Sequence, residues 1–370
     1  MNLSYWEIKS WFTGVDFTVV GSGIVGLNAA LSLRKKYPKA KILVLEKGIL
    51  PEGASTKNAG FACFGSLSEI LEDLKILQEE QVVALVKKRW EGLQLLRQNL
   101  GDKNLDFQMN GGYELFFEED ALWDACMSGM AAINKMLEPV FKSAVYSVCE
   151  NRFGFKAVRG SYIFNPFEGQ LDTGKMMTAL VQKVQQKGIN ILNNCEVEGI
   201  SDGGGSVSLR VKGYEFNTKK LLLATNGFAG QFLKHVDLRP ARAQVLITKP
   251  LENLHIKGTF HLDRGYYYFR NIDSRILLGG ARNLDFETEE TTEIGLTDTV
   301  QNRLEYLLKE TILPGFNCEI EHRWSGIMAI GKTKLPIVEQ VSQNVWCGVR
   351  LGGMGVAIGS LTGKELADKV

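Results

Sequence analysis

The chain has 370 residues, 45% of them apolar and 23% charged, an ordinary balance for a soluble protein with room for about two domains. A formal net charge of +1 supplies no general pull toward nucleic acid or an anionic membrane. The opening MNLSYWEIKS lacks the features of a secretory signal, and residues 15–33 are too interrupted by glycine and polar side chains to span a bilayer. Six scattered cysteines, without CxxC or a histidine at ligand spacing, predict reduced thiols, no metal site and a cytoplasmic protein.

In chain order, residues 16–47, DFTVVGSGIVGLNAALSLRKKYPKAKILVLEK, come first and read as strand, glycine turn, helix and strand. A short apolar strand over 17–20 runs into Gly21-Ser22-Gly23-Ile24-Val25-Gly26. A helix follows, ending near Pro38, and a strand over 41–45 leads to Glu46. Each part suits a dinucleotide. Gly21 permits the tight turn, Gly23 lets a pyrophosphate approach the backbone, and Gly26 lets the helix pack closely. The helix N-terminus favours an anion, and Glu46 suits ribose hydroxyls while repelling a 2′-phosphate. Only one such fingerprint is present, which argues against a reductase binding both FAD and NAD(P)H.

Next comes GASTKNAGFACFGS, residues 53–66, a run of small residues around Cys63. Charged amphipathic helices are expected over 67–100, and a further helix over 174–186 leads into a strand over 189–192. EVEGISDGGGSVSLRV reads as strand, glycine-rich turn and strand, and 220–224 as a buried strand. RGYYYFRNIDSRILLGG reads as a hairpin turning at Asp273-Ser274. Near the C-terminus a strand around Trp346 ends in Gly352-Gly353-Met354-Gly355, ahead of a helix over 356–368. This second glycine cluster at a helix mouth suits the negative charge of a reduced flavin ring.

Together these segments resemble the FAD-dependent amine and amino-acid oxidoreductases related to D-amino-acid oxidase, glycine oxidase and sarcosine oxidase, and are most similar to the gamma-glutamylputrescine oxidoreductase-like branch. VVGSGIVGLNAALSL, LEKGILPEGASTKNAGF, NGGYELFF, LLLATNGFAGQFL, YYYFRNIDSRILLGGAR, RWSGIMAIGKTKLPIVE and GVRLGGMGVAIGSLTGKELA carry the resemblance in family order over nearly the whole chain. It implies an α/β fold: a Rossmann-like FAD-binding domain from residues 1–80, 150–235 and 322–370, and an α+β substrate domain with an antiparallel sheet from 81–149 and 236–321. It also implies that 53–66 runs along the flavin, with Lys47, Ser55, Thr56, Asn58, Ala59 and Gly60 near the cofactor. Val197 would meet the adenine, and Thr225, Asn226, Gly227 and Gly326 would lie beside the FAD. RWSGIMAIGKTKLP has no cysteine where sarcosine oxidase relatives attach their flavin, so FAD is expected to be noncovalent and Cys63 a buried bystander.

The implied reaction oxidises a C–N bond of a small amine or amino acid by hydride transfer to flavin N5, followed by imine hydrolysis, with oxygen or another acceptor taking the electrons. The cofactor carries the chemistry, so the scarcity of histidine is no obstacle. Tyr266 and Tyr268 are the expected pocket aromatics, with the middle Tyr267 as the alternative, and Arg270 and Arg323 are the candidate carboxylate partners. Met328 stands where amino-acid oxidases place a carboxylate-binding arginine, which favours an amine or a remote acid. Leu277 stands where sarcosine oxidases place an oxygen-activating lysine, which leaves dehydrogenase behaviour open. Two further readings are an FAD enzyme acting on a modified tRNA base, disfavoured by the neutral charge, and a non-catalytic flavin-binding sensor or partner module.

Overall fold

The computed structural model describes residues 2–370, and two eight-stranded sheets carry the fold. In the first, the strands run Ile337–Ser342, Val345–Val349, Tyr214–Leu223, Val15–Val20, Ile42–Leu45, Asn190–Leu192. All neighbours from Val345–Val349 onward pair in parallel. Val15–Val20 and Ile42–Leu45 are buried except at Asp16, because parallel strands are covered on both faces, which explains their near-continuous apolar sequence. The strands Val197–Asp202 and Val207–Val211 fold antiparallel onto the start of Tyr214–Leu223.

The helix Ile24–Lys36 packs against Gly355–Asp368, which in turn packs against Glu79–Leu100. Small residues set these distances. A Cβ on Gly363 would collide with the Val25 carbonyl oxygen, and one on Gly92 with that of Ala357. The first glycine-rich helix of the chain and its last are thereby locked together over one core.

The second sheet runs Ile320–Ile330, Arg239–Thr248, Arg275–Gly280, Tyr267–Ile272, Thr259–Leu262, Gly112–Leu115, Ser161–Asn165, Ser147–Glu150, antiparallel except where Thr259–Leu262 meets Gly112–Leu115. Alternation along its strands separates two faces. Tyr113, Phe260, Tyr267, Phe269 and Leu278 enter a core closed by Asp298–Tyr306 and the turn after it, with Phe260 and Phe269 stacked at 4.6 Å. The other face carries a cross-strand row, Glu114, His261, Tyr268, Gly279, Val245 and Trp324. The Asp273-Ser274 turn has φ of 47° and 58°, the mirror-type two-residue hairpin that matches strand twist.

The expected helices and hairpins are found as Leu67–Asp73, Glu79–Leu100, Thr173–Gln186 and Gly355–Asp368, and as the pair Tyr267–Ile272 and Arg275–Gly280. The 20-residue helix Leu122–Phe141, with Pro139 in its last turn, had no sequence expectation. Ser161–Asn165 and Ile320–Ile330 stand in the second sheet, while Glu79–Leu100 packs on the terminal helix of the first. Among the described residues no helix is long and apolar enough to cross a membrane.

Candidate active site

The strand Val15–Val20 delivers Gly21 with a φ of 104°, which only glycine adopts without strain, and the helix begins at Ile24. The Ile24 N–H donates to Ser55 Oγ at 2.9 Å, tying the small-residue run 53–66 to the glycine turn. A Cβ on Gly26 would overlap the Gly21 carbonyl oxygen, so the turn closes only with glycine there. Glu46 is buried, and its carboxylate accepts from the Ser22 N–H at 3.0 Å, the Ser22 hydroxyl at 2.7 Å and the Gly48 N–H at 3.0 Å. These bonds orient it at the end of Ile42–Leu45.

A cavity of about 450 Å³ starts at this turn and reaches the Tyr268 face of the second sheet. Gly21, Gly23, Ile24, Val25, Glu46 and Lys47 line the end at this turn, with Val197, Thr225 and Asn226. Ser55, Asn58, Ala59 and Gly326 form its middle, and Gly352, Gly353, Met354 and Gly355 one wall. Ser22, Gly26, Thr56, Gly60 and Gly227 do not line it. Ser22 turns toward Glu46, and the Thr56 hydroxyl donates to the Pro51 carbonyl at 2.6 Å. Gly60 packs under Leu171, and Gly227 lies against the Met328 carbonyl.

At the other end Tyr266 and Tyr268 both line the cavity, while Tyr267 points into the core behind. Burial pushes the Tyr268 phenol up to about 12, opposed by Arg282, so it stays a neutral donor. His261, beside it in the row, lines the cavity and donates from Nε2 to Glu168 Oε1 at 2.5 Å. Burial opposes a charged imidazole, but Glu168, Glu69 and Glu114 outweigh it and raise His261 to about 9. Cys63 also lines the cavity, with Sγ 3.7 Å from Met354 Sδ. Burial, then Glu168 and Glu69, push its thiol well above the usual range, which makes it unreactive. Cys63, Glu168 and His261 bring ligand-type atoms within 4.8 Å of one another, a cluster that sequence spacing did not reveal.

The two arginines singled out from the sequence lie outside the cavity lining. Arg323 points to the opposite face from Trp324, where it donates to Gln301 and Glu305 at 2.5 Å each. Arg270 is buried beneath Gly60, its Nε has no partner, and burial lowers its guanidinium to about 10 despite Asp172, Asp273 and Asp106. Arg282 takes their place at the cavity, its guanidinium 5.4 Å from the Tyr266 ring centre and 5.0 Å from that of Phe286. Glu69, Glu72, Arg264 and Lys334 complete this end. None carries a motif; each arrives on a loop or helix that the topology brings to the sheet.

The residues present fit a flavin dinucleotide. The cavity is long, the walls that would meet phosphates and a flat ring are glycine and small residues, and the buried Thr225 Oγ1 lining it has no partner of its own.

Residues 16–369 match the model of the family described as FAD dependent oxidoreductase. The chain is 21% identical to "Probable oxidoreductase OrdL" of Haemophilus influenzae, over 96% of this chain and 82% of that protein. It is 24% identical to "Sarcosine oxidase subunit beta" of Rhizobium meliloti, over 88% of this chain and 76% of that protein. Among solved structures it is similar to L-proline dehydrogenase from P. horikoshii, with a TM-score of 0.74, 17% identity and coverage of 96% of this chain and 92% of that one.

Proposed function

Because the chain belongs to the FAD dependent oxidoreductase family and is an oxidoreductase of the amino-acid and amine oxidase kind, we propose that it oxidises a C–N bond of a small amine or amino acid, the imine product then hydrolysing in water. The carrying observation is the continuous cavity from the Gly21–Gly26 turn to Tyr266 and Tyr268. When bound, FAD would supply the redox chemistry for oxidation of the carbon that bears the neutral amine.

The chain's own residues do the rest. Gly21, Gly23 and the N–H groups opening the helix Ile24–Lys36 would hold the pyrophosphate, Glu46 the ribose, and Val197 the adenine. Ser55, Asn58, Ala59, Thr225, Asn226 and Gly326 would hold the rest of the cofactor, and the N-terminus of the helix after Gly352–Gly355 would favour negative charge on it. Attachment would be noncovalent. Tyr268, a neutral phenol, and Tyr266 would orient the substrate carbon, while the buried sheet face excludes water. In this reading 1–80, 150–235 and 322–370 chiefly hold the cofactor, and 81–149 and 236–321 the substrate.

The relatives named as a sarcosine oxidase and a proline dehydrogenase support C–N chemistry and leave either oxygen or another acceptor to take the electrons. The test is anaerobic mixing of the FAD-loaded protein with amines and amino acids. Bleaching of the flavin absorbance by at least one amine is expected. Colourless protein that takes up no FAD, or a flavin that no amine bleaches, would overturn the reading.

A further inference from the structure

The scattered cysteines have no metal-ligand spacing along the chain, but strand register creates one in space. Phe61–Ala62 pairs antiparallel with Gly169–Gln170, Ala62 opposite Gly169, so the next step of the ladder sets Cys63 beside Glu168. Thr259–Leu262 brings His261 to the same point, with Nε2 2.5 Å from Glu168 Oε1. One donor atom from each of the three side chains lies within 4.8 Å of the other two. Cys63, Glu168 and His261 are all buried, at 6%, 1% and 5% exposure. Cys63 and His261 line the inner end of the cavity, which supplies an entry path for an ion.

The carboxylate is held in place before any ion arrives. A Cβ on Gly112 would come within 2.3 Å of Glu168 Oε2, so the side chain lies over a strand that only glycine leaves open. The Thr259 hydroxyl donates to Glu168 Oε1 at 2.7 Å, the kind of outer contact that fixes a ligating carboxylate. Glu168 Oε2 has no hydrogen bond among the described residues.

Thiolate, imidazole and carboxylate are the donors that zinc takes, and around a tetrahedral ion they stand about 3.3–3.6 Å apart. Reaching that spacing requires His261 and Glu168 to part by about 1 Å, and Cys63, at most 4.8 Å from either, to move by a similar amount. Met354 Sδ, 3.7 Å from Cys63 Sγ, is a thioether, a donor that suits copper(I), whereas the carboxylate favours zinc of the two. Charge balances as well. A neutral thiol, a charged imidazole and a carboxylate sum to zero. So do a thiolate, a neutral imidazole and a carboxylate around Zn²⁺, the ion entering as two protons leave. The charged groups around the cluster, Glu69, Glu114, Arg89 and Lys334, therefore meet the same net charge before and after.

We propose that Cys63, Glu168 and His261 form a zinc site at the buried end of the cavity, its fourth position open to the cavity, and that zinc bound there closes the pocket to substrate. The metal site stands without the C–N oxidation reading; only its effect on turnover rests on that reading.

The test uses the FAD-loaded protein, stripped of metal with EDTA, dialysed, and titrated with zinc chloride by calorimetry. One saturable site per chain is expected. Cys63→Ser, nearly isosteric, should weaken it about tenfold or more with FAD content unchanged, and His261→Gln should do the same. Cys63→Ala serves where the serine variant does not accumulate. Cobalt(II) in place of zinc should give the intense visible bands of a tetrahedral ion, at longer wavelength than the flavin absorbs, and Cys63→Ser should lose them. No saturable site, unchanged zinc affinity in both Cys63 variants, or the pale spectrum of octahedral cobalt overturns the proposal. Zinc should also slow the anaerobic bleaching of the flavin by an amine that reduces it, and EDTA should restore the rate. Undiminished bleaching with the site filled overturns closure of the pocket. If no amine bleaches the flavin, the oxidation reading fails, and the calorimetry still decides the zinc site.

Discussion

The ring of Tyr268 lies across Gly279 on the neighbouring strand: a methyl group at Gly279 would come within 2.7 Å of the tyrosine Oη. The missing side chain is what lets the aromatic lie along the sheet beneath the cavity. Gly279→Ala should push the ring inward, cost about 1–3 kcal/mol by overpacking, and slow substrate-driven flavin reduction while FAD content is kept. Tyr268→Phe, which retains the ring, should keep most of the stability. Thermal unfolding and stopped-flow reduction compare the two.

Gly363 holds the terminal helix against the glycine-rich helix at Val25. Gly363→Ala pits a Cβ against a backbone oxygen that cannot swing away. Both the midpoint of urea unfolding and the FAD retained on gel filtration should fall, since Gly352–Gly355 would shift with the helix. Retention of both at wild-type levels would refute the coupling.

His261 gives a pH signature. Its folded value of about 9 lies above the ordinary 6.5, so its charged form stabilises the folded state. That contribution is fully present below pH 6.5 and is lost as the pH rises through about 9. The melting-temperature gap between wild type and His261→Gln should therefore be widest in mild acid and narrow toward pH 9. Imidazole NMR signals of a charged ring at neutral pH provide the direct check.

Behind the sheet, Arg242 donates to both oxygens of Glu289 at 2.8 and 3.1 Å, with Gln244 and Thr297 completing the buried cluster. Arg242→Met leaves the carboxylate uncompensated and should cost about 3–5 kcal/mol. Replacing Arg242 and Glu289 together by apolar residues should cost much less. A double-mutant cycle in urea measures the difference.

Cys63 faces the cavity as an unreactive thiol. Acid precipitation should leave a colourless pellet and all the FAD in the supernatant. Iodoacetamide should modify Cys63 slowly in the FAD-loaded protein. Yellow colour that remains with the pellet would show a covalent bond.

The half of the cavity at the glycine turn was legible because its signals are local. Glycine spacing, two buried strands and an acidic strand end fall within residues 16–47, and physical turn requirements translate them directly. The substrate half was less so. Arg323 adjoins Trp324 in sequence, but strand alternation sends the two side chains to opposite faces. Arg270 shares the Tyr268 face, yet the Gly60 segment covers it. Arg282 sits on a short 3-10 turn after a strand, where periodicity says nothing. The Glu168 partner of His261 comes from 93 residues away, on the turn between two strands, where no local pattern announces the contact.

The order of the first sheet has a consequence for biosynthesis. Val15–Val20 emerges early from the ribosome, yet its neighbour Tyr214–Leu223 follows much later, and Val345–Val349 later still. A nascent chain halted before residue 345 holds the glycine turn but lacks both the Gly352–Gly355 wall and the helix that braces it. Flavin capture is therefore expected only after residues 345–368 are made, and until then the apolar strands lack the neighbours that cover them.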